Sequence, residues 1–268
     1  YGYCNPKSTS GRLDVHVRLL ADGVPRYDAV SPAGWRGELW LSIIPKTFPI
    51  RVAPGQKLNQ LRLFNADTRL SDTDLSQAVD NFKLLWTKDG EPIAYDQTKI
   101  KDNDHSIILT LDLDEEIIGY EGVHTALAID LSLIKEYEVE NFFRPIRKTS
   151  QPLFLKRGEF YILSTLEAVR VPPELACEMV SMDERSGEFR SHYAGFIDPG
   201  WGWGKAGEGK GRTITLEVRP FEDLIVRHGQ PIAKIKFEHM ATVPEILYDT
   251  AASNYVAQKG PKLAKHFK

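Results

Sequence analysis

Cysteine is nearly absent. Cys4 and Cys177 are the only two in 268 residues, and they stand far apart. That excludes a disulfide framework and makes a reducing, cytoplasmic setting the default. There is no Cys-x-x-Cys and no His-x-Glu, so the clustered ligands of a zinc site are missing. Basic excess is also lacking. Lys and Arg number 34 against 37 Asp and Glu, and the net charge of -3 offers no footprint for duplex nucleic acid. No apolar run approaches the ~20 residues of a membrane span. No signal peptide is visible, although the chain opens on Tyr1 rather than Met. The glycine-rich stretch 202–211 lacks the closing Gly-Lys-Ser/Thr of a phosphate loop and reads as a hairpin extension.

What the chain does have is an internal repeat. Lys7-Ser8-Thr9-Ser10-Gly11-Arg12 is followed by Gly34-Trp35, by the alternating run Leu39 to Ile43, and by Gly55-Gln56 before another alternating run. Arg185-Ser186-Gly187-Glu188-Phe189-Arg190 is followed by Gly200-Trp201, by Ile214 to Val218, and by Gly229-Gln230 before the run Pro231 to Phe237. Self-similarity of this length means two copies of one domain. The period-two alternation between Gly and Pro turns predicts antiparallel β-structure with one buried face. The segments 125–133 and 158–167 read as further strands. Many short strands at this spacing predict a mainly β fold of sandwich or jelly-roll type with a few short helices. One helix is expected after Ser71, an N-cap followed by Asp72 and Asp74 in the first turn. The first copy has no strands before Lys7 to match those of the second, and is expected to be incomplete at its N-terminus.

The residues that could carry chemistry each have a plain reading. Glu217 sits on the polar face of its strand and could be an ordinary solvated carboxylate. Ser186 between Arg185 and Arg190 could be a surface turn, but two guanidiniums beside a hydroxyl also suit an anion. No His is spaced to serve a Ser-His-Asp nucleophile, and His192 alone is weak evidence. The basic tail from Ser253 reads either as a solvated terminus or as a mobile flap that closes over a polyanion. The repeat separates these readings. Both copies keep the basic-Ser…Arg turn, but the counterpart of Glu217 in the first copy is Ser42. The fold itself therefore needs no acid there, which marks Glu217 as the functional residue.

Together these motifs resemble the dCTP deaminase branch of the dUTPase-like fold. The resemblance rests on Glu159 to Leu163 with Glu167-Ala168-Val169 and Pro172, on Arg185-Ser186 with Arg190, on Ala194 with Ile197-Asp198-Pro199-Gly200-Trp201, on Leu216-Glu217, and on Ser253-Asn254-Tyr255 through Pro261. Gly34-Trp35-Arg36-Gly37-Glu38 of the first copy resembles the Tyr-Arg-Gly-Glu signature of dUTPases. The resemblance implies two tandem dUTPase-like (β-clip) domains. It also implies zinc-free hydrolytic deamination of dCTP to dUTP and ammonia, with Glu217 as general base and acid. Ser186 would position the water, Arg190 would support it, and the Ala194 backbone would help hold it. Arg185, Gln230, Tyr248, Tyr255, Gln258 and Lys259 would bind the nucleotide. Mg2+ would enter on the substrate triphosphate, with no metal ligand from the protein. dTTP is a candidate inhibitor.

The expected organisation is an incomplete, non-catalytic first repeat over residues 1–70 and a helix-containing linker over 71–103. The catalytic repeat follows over 104–247, and a nucleotide-closing flap over 248–268. Two copies cannot close a pseudo-trimer alone, so the chains are expected to form a homotrimer with three sites built around the second copies. The competing readings are a bifunctional deaminase and pyrophosphatase that yields dUMP, a dUTPase, and a non-catalytic nucleotide-binding regulator. The single terminal glycine, Gly260, argues against a dUTPase arm.

Overall fold

The computed structural model describes all residues except 99, 103, 192, 251–254 and 256–258. It is mainly β. Two sheets of the second copy enclose one core. The larger sheet runs Phe143–Arg147, Ile117–Gly122, Tyr161–Val169, Arg212–Pro220, Phe189–Arg190, with Leu85–Trp86 paired to Tyr161–Val169. The smaller runs Phe196–Ile197, Leu175–Val180, Pro231–His239, Ile107–Thr110. Leu163, Leu216 and Val218 from the first meet Cys177, Ile235 and Phe237 from the second. This face-to-face burial of alternate residues is that of a β-sandwich.

The helix begins where its sequence signal places it. It spans Asp72–Phe82, with Ser71 and Asp74 forming a reciprocal capping box. Leu75, Ala78 and Val79 bury its inner face. The expected strand over 125–133 is shorter than its alternation suggests. Only Ile129–Asp130 pairs, in parallel with Ile50–Arg51. Ile129 enters the core, while Leu127 and Leu133 stay exposed.

The first copy contributes a three-stranded sheet, Ala29–Val30, Gly2–Pro6, Asn59–Leu63, and a hairpin of Val15–Ala21 with Leu39–Pro45. It shares a second core with its partner copy. Leu13, Val15 and Phe48 pack with Phe142, Phe143 and Phe160. Phe143 lies edge-on to Phe48 at 5.0 Å between centroids and to Phe267 at 5.4 Å. The tail is therefore no free arm at its end. Leu263, Ala264 and Phe267 sit in this core, and the His266 carbonyl accepts hydrogen bonds from the Glu136 and Tyr137 amides at 2.9 and 3.1 Å.

The shared core corrects one reading. The strand Arg212–Pro220 alternates as expected, but its polar face is not solvated. Thr215 and Glu217 are 5% and 2% exposed, because the first copy and the tail cover that face.

Truncating Phe143 to Ala should cost about 3–5 kcal/mol, as for other buried aromatics. Because its ring joins both copies, urea denaturation should show one transition at lower denaturant rather than two separated ones.

Candidate active site

A cavity of about 510 Å³ lies between the copies. The second copy contributes Ala194, Asp198, Thr215, Glu217 and Tyr248, and the first contributes Lys7, Ser8, Thr9 and Arg12. Each group is fixed by its local fold. Ser8–Gly11 forms a single helical turn, and the Ser10 hydroxyl donates to the Leu58 carbonyl at 3.1 Å. That turn presses against Glu217. A Cβ on Gly11 would lie 2.8 Å from the Glu217 carboxyl carbon, so any larger residue there would have to push the carboxyl aside. Arg12 follows at once, 3% exposed, and its Nη1 donates to the Lys262 carbonyl at 3.0 Å. Its guanidinium carbon lies 3.8 Å from the centre of the Tyr255 ring, a close cation–π contact.

Glu217 is held from the other side by backbone. Its Oε2 accepts from the Tyr193 amide at 2.9 Å and from the Ala194 amide at 3.4 Å. The Tyr193 ring anchors this peptide. Its hydroxyl donates to Asp14 Oδ1 at 2.6 Å, and Asp14 is fully buried. Asp14 also accepts from Thr47 at 2.5 Å and pairs with Arg219. A network crossing between the copies thus orients the two amides that grip the carboxylate.

Burial pushes the Glu217 carboxyl up to about 7, against the pull of the two amides and the positive charge of Arg12. Burial also holds Arg12 below its ordinary value, an effect opposed by Tyr255 and Glu217. Such a carboxyl exchanges protons readily near neutrality, as a group that both takes and returns a proton must. Among the described residues, no group of three or more His, Cys, Asp or Glu could hold a metal ion. The acid has neutral and cationic donors around it instead.

The aromatic side is closed by the tail. Tyr255 is 6% exposed, and its hydroxyl lies 3.1 Å from Thr9 Oγ1. Tyr248 donates its amide to the Pro199 carbonyl at 2.9 Å and packs on Trp201 at 4.9 Å between ring centres.

Of the residues singled out in the sequence, Glu217, Ala194, Tyr248 and Tyr255 meet in this cavity. Ser186, Arg185 and Arg190 do not. Ser186 closes the short turn Glu184–Ser186, and Arg185 is exposed and paired with Asp183 at 2.7 Å. Arg190 lines a separate cavity beside His16. Gln230 accepts the Arg227 amide at 3.1 Å and serves its hairpin turn. Lys259 lies beside Thr87, Lys88 and Arg212, away from Glu217. Gln258 lies outside the described residues. The residues that line the cavity with Glu217 are instead the repeat counterparts in the first copy: Lys7 for Arg185, Ser8 for Ser186, Arg12 for Arg190. The signal was present, since the first copy keeps the turn whose acid the second copy keeps.

Comparison with known proteins places the chain in a family. The family model for the 2'-deoxycytidine 5'-triphosphate deaminase (DCD) N-terminal domain matches residues 1–67, and the C-terminal domain model matches 80–267. A dCTP deaminase, dUMP-forming, of Dictyoglomus turgidum is 32% identical over 204 residues, 73% of this chain and 93% of that protein. One of the same description from Leifsonia xyli is 31% identical over 123 residues, 44% of this chain and 57% of that protein, so this match spans little more than half of the relative. The crystal structure of 2'-deoxycytidine 5'-triphosphate deaminase from Agrobacterium tumefaciens superposes with a TM-score of 0.78 at 35% identity. The match covers 91% of this chain and 70% of that one. Both halves are matched by one family's models, and a buried carboxylate lies where they meet: the chain belongs to the 2'-deoxycytidine 5'-triphosphate deaminase family.

Proposed function

We propose that this chain removes the 4-amino group of dCTP by hydrolysis, with Glu217 as both base and acid. The observation that carries the reading is the buried carboxyl at the cavity floor, held near neutrality and faced by a buried arginine. Two amides occupy Oε2, which leaves Oε1 to take a proton from water as the hydroxide adds to C4 of the cytosine ring. The protonated carboxyl delivers that proton to N3, where it stays, and then carries the proton of the new C4 hydroxyl to the amine. The C4–N bond breaks as C4=O forms, so water and dCTP give dUTP and ammonia. The Ser8 hydroxyl takes the water-positioning part expected of Ser186, and Lys7 faces the phosphates in place of Arg185. Arg12 favours the ionised carboxylate that takes the proton, in a site where low dielectric strengthens the attraction. Mg2+ arrives with the triphosphate as part of the substrate.

Two products fit this chemistry. The sequence points to dUTP. The relatives are dCTP deaminases of the dUMP-forming kind, which favours a second hydrolysis that splits the triphosphate. Chromatography of a dCTP incubation decides between them: dUMP with pyrophosphate identifies a bifunctional enzyme, and accumulating dUTP a simple deaminase. Assembly as a homotrimer remains a proposal, and light scattering of the native chain tests it. Whatever the assembly, Arg12 and Glu217 line the cavity from one chain.

Glu217→Gln should lower ammonia release by about 10²–10⁴-fold, the usual contribution of a positioned acid–base group. Nucleotide binding should persist. Full activity in that variant would sink the mechanism and leave a binding protein. The native kcat/KM should rise with pH through an acid limb near 7, the value to which burial pushes Glu217. Stability should move the opposite way. The folded chain holds the Glu217 proton up to about pH 7, while the unfolded chain releases it near the ordinary carboxyl value of 4.5. This contribution is present below 4.5 and lost as pH rises through 7, so Glu217→Gln should be the more stable form at pH 8, by up to about 3 kcal/mol.

Gly11→Ala should displace the Glu217 carboxyl and cut kcat by about 10²-fold, in line with ångström-scale misplacement of a catalytic group. An unchanged kcat in this variant would mean that the turn carrying Gly11 does not set the position of the acid.

A further inference from the structure

The repeat that builds one cavity builds a second. It measures about 380 Å³ and is lined by His16, Arg18, Arg190 and Tyr193, with Phe189 and Phe221 at its apolar side. In the repeat, Arg190 is the counterpart of Arg12, and Ser42 is the counterpart of Glu217. Ser42 stands directly opposite Arg18 across the hairpin ladder, so the two side chains share a face. This second cavity therefore keeps the arginine of the first, while Ser42, on the strand beside it, does not line it. It can hold an anion but cannot run the proton transfers assigned to Glu217.

Its charges are arranged to suit that task. Arg18 pairs with Asp28 at 2.5 Å, and Glu188 also lines the cavity. Arg190 has a neutral partner instead, with Nη1 2.9 Å from His16 Nε2. Burial, then Arg18, Arg190 and Lys46, hold the His16 imidazole down at about 4, so the ring accepts from Arg190 rather than competing with it for an anion. Among the described residues Arg190 has no carboxylate at ion-pair distance, although Asp28 acts on it from farther off, and a guanidinium is the group best suited to phosphate oxygens.

The two cavities adjoin at Pro6–Lys7 and at Tyr193–Ala194. Tyr193 lines the second, and the next residue, Ala194, lines the first. The Arg190 guanidinium carbon is 5.5 Å from the Tyr193 ring centre, and the Tyr193 amide holds Glu217 at 2.9 Å. We propose that this cavity binds the polyphosphate group of a small molecule through Arg18 and Arg190, and that occupancy reaches Glu217 through Tyr193. The binding site stands on its own, while the coupling rests on the reading of Glu217 as the catalytic group.

Calorimetric titration of inorganic pyrophosphate, and in parallel ADP, into Glu217→Gln saturated with dCTP tests the site. One further equivalent should bind per chain, and adding Arg18→Gln should weaken it at least tenfold, with Arg18→Lys less affected. Tighter binding of ADP than of pyrophosphate would point to a nucleotide as the source of the group, and equal binding to the free anion. The site is overturned if neither probe binds, if both merely displace dCTP, or if Arg18→Gln and Arg190→Gln leave binding unchanged in variants that melt like the parent. If dCTP itself fails to bind, that failure appears before either probe is added and strikes the deaminase reading alone. The unliganded chain then serves for the same titration. In the native enzyme, saturating pyrophosphate should change kcat at saturating dCTP, and Arg18→Gln should abolish the effect while keeping basal kcat within about twofold. A purely competitive effect would overturn the coupling.

Discussion

The covered second face of the strand Arg212–Pro220 governs much of what this molecule can do. One face of that strand belongs to the core of its own domain, as in any sandwich. The other is pressed against the first copy, and Glu217 is caught between them. A carboxylate on a free sheet face would be solvated, fully ionised at neutral pH and chemically idle. Desolvation lifts it toward neutrality, and desolvation needs a second domain placed so closely that a methyl group on Gly11 would have to push the carboxyl aside.

That placement needs rigid contacts away from the cavity. The aromatic cluster around Phe143 provides apolar area, which holds the copies together without specifying much detail. The detail comes from buried polar groups. Asp14 of the first copy accepts from Tyr193 and Arg219 of the second, and Arg62 donates to the carbonyls of Cys177 and Ile197, both at 3.1 Å. Buried hydrogen bonds of this kind are costly to leave unmade, so they fix register more than they add net stability. The residues that aim the Glu217 amides are also residues that dock the domains. Folding and preorganisation of the site are here one event.

Much of this was legible in the residues themselves. Alternation gave the strands, Ser71 gave the helix, and the contrast between Ser42 and Glu217 isolated the acid. What alternation could not reveal is what lies on the polar side of a strand. Period two distinguishes inside from outside within one sheet, and says nothing of a neighbouring domain that turns the outside into a second inside. For the same reason Ser186 and Arg190 looked like partners of Glu217, being near it in sequence and part of the same copy. The counterparts that face it, Ser8 and Arg12, lie in the other repeat. The run at 125–128 misled in another way. Its alternation is real, but a strand also needs an edge to pair with, and only the two-residue segment Ile50–Arg51 was there to receive it.

A cavity assembled from two halves of one polypeptide also behaves differently under damage. Where separate subunits each lend a residue to a neighbour's site, one defective subunit spoils sites that are not its own, and mixed assemblies lose more activity than the fraction of bad chains. Here Arg12 and Glu217 travel on the same polypeptide. A change that displaces either residue disturbs the cavity of its own chain. The joined copies are in turn free to diverge, each keeping the groups the other has dropped, since neither has to work alone.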